Sequence, residues 1–241
     1  MRQANLYIPV IPLLLAAILS GARPDEAEAQ HGGMVYRPPV RDPSHIFQRR
    51  VWSWKELREQ NIVMQRRDFS CGAAALATVV KHYWGDDVTE ELFLRALDGV
   101  LSAEDVRDRI QNGLALTDLK KSADRAGYDA SIGRLSFSEL AKAKVPLVVG
   151  ITVKDYDHFV VFRGTDGRYA YLADPIRGNI REPIGVFQCQ WQENAVLVVA
   201  KRGAKVRDWS PLSVGCGEMV LGWTNREVAR NHAATRPHQL P

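Results

Sequence analysis

Cysteine is scarce in this sequence and does not pair evenly: Cys71, Cys189 and Cys216 are the three thiols among 241 residues. An odd number leaves at least one thiol over, or pairs it between chains. A phosphate-cradling glycine motif is missing, which argues against nucleotide binding, and no internal repeat is evident. Charge of one sign is concentrated nowhere. The 32 Lys and Arg against 28 Asp and Glu leave a formal net charge of +4, but the two signs interleave along most of the chain. That pattern is a solvated surface rather than a nucleic-acid stripe. The N-terminal apolar run, Leu6 to Leu19, is shorter than the roughly 20 residues a membrane span needs. It follows Arg2 and precedes small-residue sites at Ser20-Gly21-Ala22 and Ala27-Glu28-Ala29. Residues 1–29 therefore read as an export signal, with an uncleaved anchor as the alternative, and the expected location is periplasmic. Disulfides persist in such a compartment, so a leftover thiol there needs a reason.

With 46% hydrophobic residues, the chain can bury one core of roughly 150 to 170 residues plus terminal extensions. Residues 30–50 hold glycine, three prolines and scattered arginines with no apolar period, the pattern of an extended arm. A domain over residues 51–203 follows, opening with a short amphipathic helix whose apolar positions are Val51, Trp54 and Leu57. Gly72 to Trp84 is small or apolar on nearly every face, which predicts a central helix packed on several sides. Further helices are predicted over Thr89–Leu97 and Ala103–Gln111, and another from an N-cap at Thr117 to Gly127. Ser136 and Glu139 form a capping-box pattern for a short helix running to Lys142. The character then changes. Residues 145–153, 158–164, 168–175 and 194–202 are β-branched or aromatic runs separated by turn residues. Helices first and consecutive strands later predict an α+β domain with an antiparallel sheet. Residues 204–241 remain an extension of unknown role.

Cys71 stands where the loop "QRRDFS" meets the apolar helix. A thiolate is stabilised there by unpaired backbone N–H groups and the helix dipole. Gly72 beside it would admit a substrate backbone; a buried structural cysteine is the plainer alternative. A nucleophile needs a base. His82 lies 11 residues along the same helix, roughly 16 Å away, and cannot reach. His31, His45, His232 and His238 fall in the poorly patterned ends. His158 opens a predicted strand, a rigid support for a base, although a lone strand histidine is more often structural.

An orienting carboxylate for His158 depends on a hairpin register. If Asp166-Gly167 is a two-residue loop, Thr165 pairs with Arg168 and His158 faces Pro175. If Thr165-Asp166-Gly167 is a three-residue loop with Gly167 left-handed, Gly164 pairs with Arg168 and His158 lies directly opposite Asp174. The glycine at the last loop position favours the second. Asp155 and Asp157 precede the strand, and Asp157, adjacent to His158, should point to the other face. Asp174 acting on Nδ1 would leave Nε2 for Cys71. Gln65, six residues before Cys71, supplies an amide for a developing oxyanion, beside the Cys71 backbone N–H.

Together, "QRRDFSCG", the small-residue helix after it, "GLALTDLKKSADRAGYDA", "HFVVF" and "ADP" resemble the bacteriocin-processing double-glycine peptidases, a papain-like cysteine peptidase family, over about residues 60–202. The resemblance implies a papain-like fold with a central nucleophile helix, Cys71 as nucleophile, His158 and Asp174 as its partners and Gln65 as oxyanion donor. It implies cleavage after small residues, Gly-Gly or Gly-Ala, with no cofactor and no metal. Ser70 departs from the family, many of whose members carry Asp before the cysteine. No multi-span membrane segment or nucleotide-binding domain follows the peptidase pattern, so the chain resembles stand-alone exported members associated with secretion of functional amyloid or other surface polypeptides. The expected partners are an exported polypeptide substrate and a secretion-system component, with no nucleic acid and no nucleotide. Two alternatives remain: a non-catalytic leader-peptide-binding module, and another papain-like amidase or acyltransferase. Cys189 and Cys216 could pair, or Cys189 could sit buried on a strand face with Phe187 and Trp191.

Overall fold

The computed structural model describes residues 52–219 apart from Asp155. The signal and arm expected over residues 1–50, and the end of the extension, lie outside the described residues. Helix α1, Trp54–Glu59, is closed by a capping box between Ser53 and Glu56. Its apolar face is not buried as expected: Trp54 is 74% exposed. A polar contact anchors α1 instead, with Arg58 Nε donating to the Arg177 carbonyl at 2.9 Å.

Helix α2, Cys71–Val79, is buried along all nine residues and runs on as a π-helical turn, Val80–Trp84, stopped by Gly85 at φ +83°. Small side chains at Ala73, Ala74, Ala75 and Ala77 allow close approach from several sides. At Gly72 a Cβ would lie 2.6 and 2.8 Å from the Leu119 methyl groups and 3.1 Å from the Phe159 ring. The space beside Gly72 is thus taken by protein packing, which corrects the expectation that it admits a substrate backbone. Helices α3 (Glu90–Leu97), α4 (Ala103–Asn112) and α5 (Leu116–Arg125) follow. The N-cap of α5 is Ala115 rather than Thr117; Asp118 takes the Ala115 N–H at 3.1 Å and does the capping from inside the helix.

The remaining elements are β1 (Tyr128–Arg134), α6 (Phe137–Leu140), β2 (Leu147–Val153), β3 (Tyr156–Thr165), β4 (Tyr169–Asp174), β5 (Gly178–Pro183), α7 (Ile184–Gln190) and β6 (Trp191–Lys201). The strands form one antiparallel sheet in the order β1-β6-β2-β3-β4-β5. Helix α2 packs on β2 and β3, with α3 and α5 beside it. This is the α+β arrangement expected, a helix that begins at Cys71 seated on an antiparallel sheet. Strands β1 and β5, which the sequence patterns did not reveal, are the two edges. Phe187 and Cys189, read on a strand face with Trp191, lie instead in the helix Ile184–Gln190. Phe187 and Trp191 are four residues apart, a spacing shared by one strand face and one helix face, and their rings stack with centroids 5.7 Å apart. On a helix Cys189 then points away, and it is exposed. Cys189 and Cys216 are both free and both exposed, so neither the disulfide nor the buried-thiol reading holds.

The β3–β4 hairpin takes neither predicted register. Val161 faces Ala173 and Phe162 faces Leu172, but Gly164 faces Tyr171 and Thr165 faces Ala170, so Arg163 is the extra residue of a bulge. The loop is built on Asp166, whose Oδ1 accepts from the N–H groups of Arg168 at 2.8 Å and Tyr169 at 2.7 Å; Gly167 is left-handed as expected, at φ +84°. The bulge aims Arg163 at the extension. Its guanidinium donates to the Leu212 carbonyl at 2.9 Å, to Asn179 at 2.6 Å and to Glu218 at 2.7 and 2.8 Å. Tyr83 and Trp84 take up Arg207 in the same extension, and Leu212 is buried. Residues 204–219 are therefore docked on the sheet and the α2 end.

Candidate active site

Cys71 is the first residue of α2 and is 3% exposed. Ser70 is the N-cap, yet its side chain caps nothing. Its hydroxyl turns away, donating toward the Arg67 carbonyl at 2.9 Å and toward Glu90 at 3.1 Å. The first-turn N–H groups of α2 are thereby left without a side-chain acceptor, and they carry the positive end of the helix dipole toward the sulfur.

His158 lies near the start of β3 and is 4% exposed. Its Nε2 meets Asp174 Oδ1 at 2.9 Å. The structure thus brings His158 and Asp174 together, but not as direct cross-strand partners. Extending the register from Val161 and Ala173 places Val160 opposite Asp174, so His158 reaches it diagonally, from two residues along the same face. The diagonal is longer than the direct span, and the farther ring nitrogen covers it. This reverses the expected roles of the nitrogens: Nε2 is held by Asp174, and Nδ1 is left for Cys71. Nδ1 is buried without a closed hydrogen bond, while the ring interacts with the Cys71 thiol. The contact between Cys71 and His158 is looser than an ordinary hydrogen bond.

Asp174 accepts from four donors. Besides His158, the N–H groups of Ile176 and Arg177 reach Oδ1 at 2.7 and 3.0 Å, and Arg177 Nε reaches Oδ2 at 2.6 Å. Burial alone would raise its pKa, but the hydrogen bond and charge of His158, with the Arg177 contacts, hold it at about 2. For His158, burial works to lower the pKa, yet the hydrogen bond to Asp174, the looser contact with Cys71 and the charges of both prevail and raise it to about 9. Arg177 was not singled out from the sequence. Its signal was the turn "DPIR", in which an Asp caps the N–H groups two and three residues on and so brings an Arg at the third position beside its own carboxylate.

Gln65 is stapled to the same turn, its backbone N–H donating to the Pro175 carbonyl at 2.9 Å. Its Nε2 donates to the Arg67 carbonyl at 3.1 Å, which leaves one of its two N–H bonds for another acceptor. Its Oε1 is buried without a partner. Asp157 is bound to Thr152 at 2.8 Å and Gln192 at 2.6 Å, on the face away from His158; Asp155 lies outside the described residues. No cluster of three or more His, Cys, Asp or Glu among the described residues could hold a metal.

Glu90 also escaped the sequence reading. It is 1% exposed, and both its oxygens take the Arg66 N–H at 3.2 Å while Ser70 Oγ reaches it at 3.1 Å. It therefore pins the loop joining Gln65 to Cys71. Burial raises its pKa against the pull of those two hydrogen bonds. Replacing Glu90 by alanine would strand the Arg66 N–H in the interior and should lower stability by about 1–3 kcal/mol, read as a lower Tm. Glu90→Gln, which retains an acceptor, should lose less.

Residues 59–203 match the Peptidase C39 family. The chain is 31% identical over 170 residues to "Probable functional amyloid protease FapD" of Pseudomonas aeruginosa, covering 70% of this chain and 69% of the relative. The protein of the same description from Pseudomonas fluorescens is 34% identical over 191 residues, covering 79% and 76%. Among solved structures, the peptidase domain of Streptococcus ComA superposes at a TM-score of 0.49 with 18% identity, over 58% of this chain and 98% of that one. A double glycine motif protease from an AMS/PCAT transporter, in complex with the leader peptide, does so at 0.47 with 26% identity, over 60% and 95%.

Proposed function

The chain belongs to the Peptidase C39 family and is a cysteine peptidase, and from that premise we propose that Cys71 is its nucleophile and His158 its acid and base. Asp174 orients the ring, and Gln65 with the Cys71 N–H receives the oxyanion. Cys71 as thiolate attacks the scissile carbonyl, forming a tetrahedral intermediate whose oxygen lies at the α2 start. Protonated His158 passes its Nδ1 proton to the departing amine, the C–N bond breaks, and a thioester remains. Water, deprotonated by Nδ1, then attacks the thioester; the C–S bond breaks, the acyl group leaves as the new carboxyl terminus, and the thiolate and protonated His158 are restored. The observation that carries this is a buried cluster in which a helix-start thiol, an imidazole and a four-donor carboxylate are contiguous.

The substrate we propose is an exported polypeptide cut after Gly-Gly or Gly-Ala. Support comes from relatives described as a functional amyloid protease and from the resemblance of the sequence motifs to the double-glycine peptidases. The burial of Cys71 and His158 leaves little room for side chains near the scissile bond. The export signal read over residues 1–29 supports a periplasmic site of action beside a secretion system; among the described residues, no helix is long and apolar enough to cross a membrane.

The test is a panel of peptides differing only at the two positions before the cut, with products mapped by mass spectrometry. Cleavage after Gly-Gly and Gly-Ala is expected; cleavage confined to peptidoglycan fragments would overturn the proposal. The pH profile adds a second check. With His158 raised to about 9, the imidazolium persists through neutral pH and is lost above that value. kcat/KM should therefore hold up to about pH 8 and fall near pH 9; a fall centred on pH 6.5 would show an unpaired histidine.

A further inference from the structure

Tyr156 begins β3 two residues before His158, so the two side chains share a face of the sheet. Their rings lie 6.0 Å apart, tilted by 31°. The Tyr156 hydroxyl donates to the Asp68 carbonyl at 3.2 Å, so the side chain spans from the sheet to the loop that leads into Cys71. Burial, and then the negative charges of Cys71, Asp68 and Asp174, raise the phenol pKa, which places the ring within electrostatic reach of the reacting groups. Tyr156 is itself 48% exposed, whereas Cys71 and His158 beneath it are 3% and 4% exposed. The ring is a solvent-exposed neighbour of a nearly closed pair.

A peptide carbonyl must reach the sulfur between the two elements that Tyr156 ties together. We propose that Tyr156 is the specificity-determining residue of this site, a strap across the cleft that admits the thin backbone of glycine or alanine next to the scissile bond and turns away larger side chains. This rests on the peptidase reading. It adds which residue enforces the preference, and by what contact. The anchoring bond ends on a backbone carbonyl, so the strap does not depend on the identity of the side chain at position 68. Phenylalanine would keep the ring and lose only the anchor, and alanine would remove both.

The test uses the full chain and two variants, Tyr156→Ala and Tyr156→Phe, against a matched pair of peptides carrying Gly-Gly or Gly-Leu before the cut. Tyr156→Ala should raise the kcat/KM ratio of Gly-Leu to Gly-Gly by at least about tenfold, since a barrier to an added side chain is removed. Tyr156→Phe should stay closer to wild type. In parallel, alkylation of Cys71 is followed by peptide mapping with iodoacetamide and with a bulky maleimide. The maleimide rate relative to iodoacetamide should rise in Tyr156→Ala, and this holds whatever peptide the protein cuts. An unchanged substrate ratio together with an unchanged reagent ratio overturns the strap. If the wild-type protein cuts Gly-Gly and both ratios stay fixed, the strap fails while the peptidase reading stands. If neither peptide is cut yet the maleimide ratio rises, the strap stands as a control of access and the substrate reading fails. Circular dichroism and Tm guard against misfolding; Tyr156 is half-exposed at a strand end, so both should be near wild type.

Discussion

Cys71→Ala should lower kcat/KM for a Gly-Gly peptide by about 10⁴-fold or more, because the covalent route is lost and only oxyanion stabilisation and binding remain. The fold should survive. Cys71 occupies the first turn of α2, where alanine is a good helix former, and the change removes one buried sulfur. A cost of about 1 kcal/mol is expected, a fall in Tm of roughly 2–4 °C for a domain of this size. Cys71→Ser should be nearly as inactive, since a hydroxyl in the same place is a far weaker nucleophile than a thiolate. Cys189 and Cys216 provide the internal control: both are exposed and free, and replacing both by alanine should leave kcat/KM within about twofold of wild type. Retention of more than about a tenth of the activity in Cys71→Ala, measured by mass spectrometry of products, would remove Cys71 from the reaction.

The sequence carried more of the helical half than of the sheet, for physical reasons visible in particular residues. Helix α2 was legible because small apolar residues on every face have few other uses. The capping box at Ser136 sets a helix start through local bonds alone. Strands β1 and β5, "YDASIGR" and "GNIREP", were missed because edge strands carry the polar residues, Gly and Pro that blunt an edge, and so they read as loops. Pairing His158 with Asp174 was readable, but its geometry was not. The bulge at Arg163 exists because that side chain is drawn to Asn179, Leu212 and Glu218, partners that lie 16, 49 and 55 residues away in sequence. No hairpin rule sees that pull. The shifted register made the His–Asp contact diagonal and so exchanged the roles of the two ring nitrogens. Glu90 and Tyr156 were invisible for a related reason: each acts on the loop before Cys71 from a distant element, across 20 and 88 residues.

Asp174→Ala should be the most damaging single change to the fold and the site together. All four partners of this carboxylate are donors: His158 Nε2, Arg177 Nε and the N–H groups of Ile176 and Arg177. Alanine leaves the buried His158 nitrogen and two part-buried N–H groups without their acceptor, whereas Arg177, 38% exposed and also facing Glu182 at 3.4 Å, keeps water and a second partner; the loss is expected to cost about 1–3 kcal/mol, read as a fall in Tm. Asp174→Asn does not rescue it. An amide has one oxygen where the carboxylate has two, and its NH₂ would point a donor at a donor. Activity should fall on the order of 10²- to 10⁴-fold in either variant. Because His158 owes its rise to about 9 largely to Asp174, the alkaline limb of kcat/KM in any residual activity should move down toward 6.5. Stability should change with pH in the same sense. In the wild-type protein the raised His158 contributes fully below 6.5 and loses its contribution as pH rises through about 9. The depressed Asp174 contributes above 3.8 and loses its contribution as pH falls through about 2. Without the carboxylate both dependences should flatten. A Tm profile of Asp174→Ala that still declined between pH 7 and 9 as steeply as wild type would mean that His158 draws its proton affinity from another group.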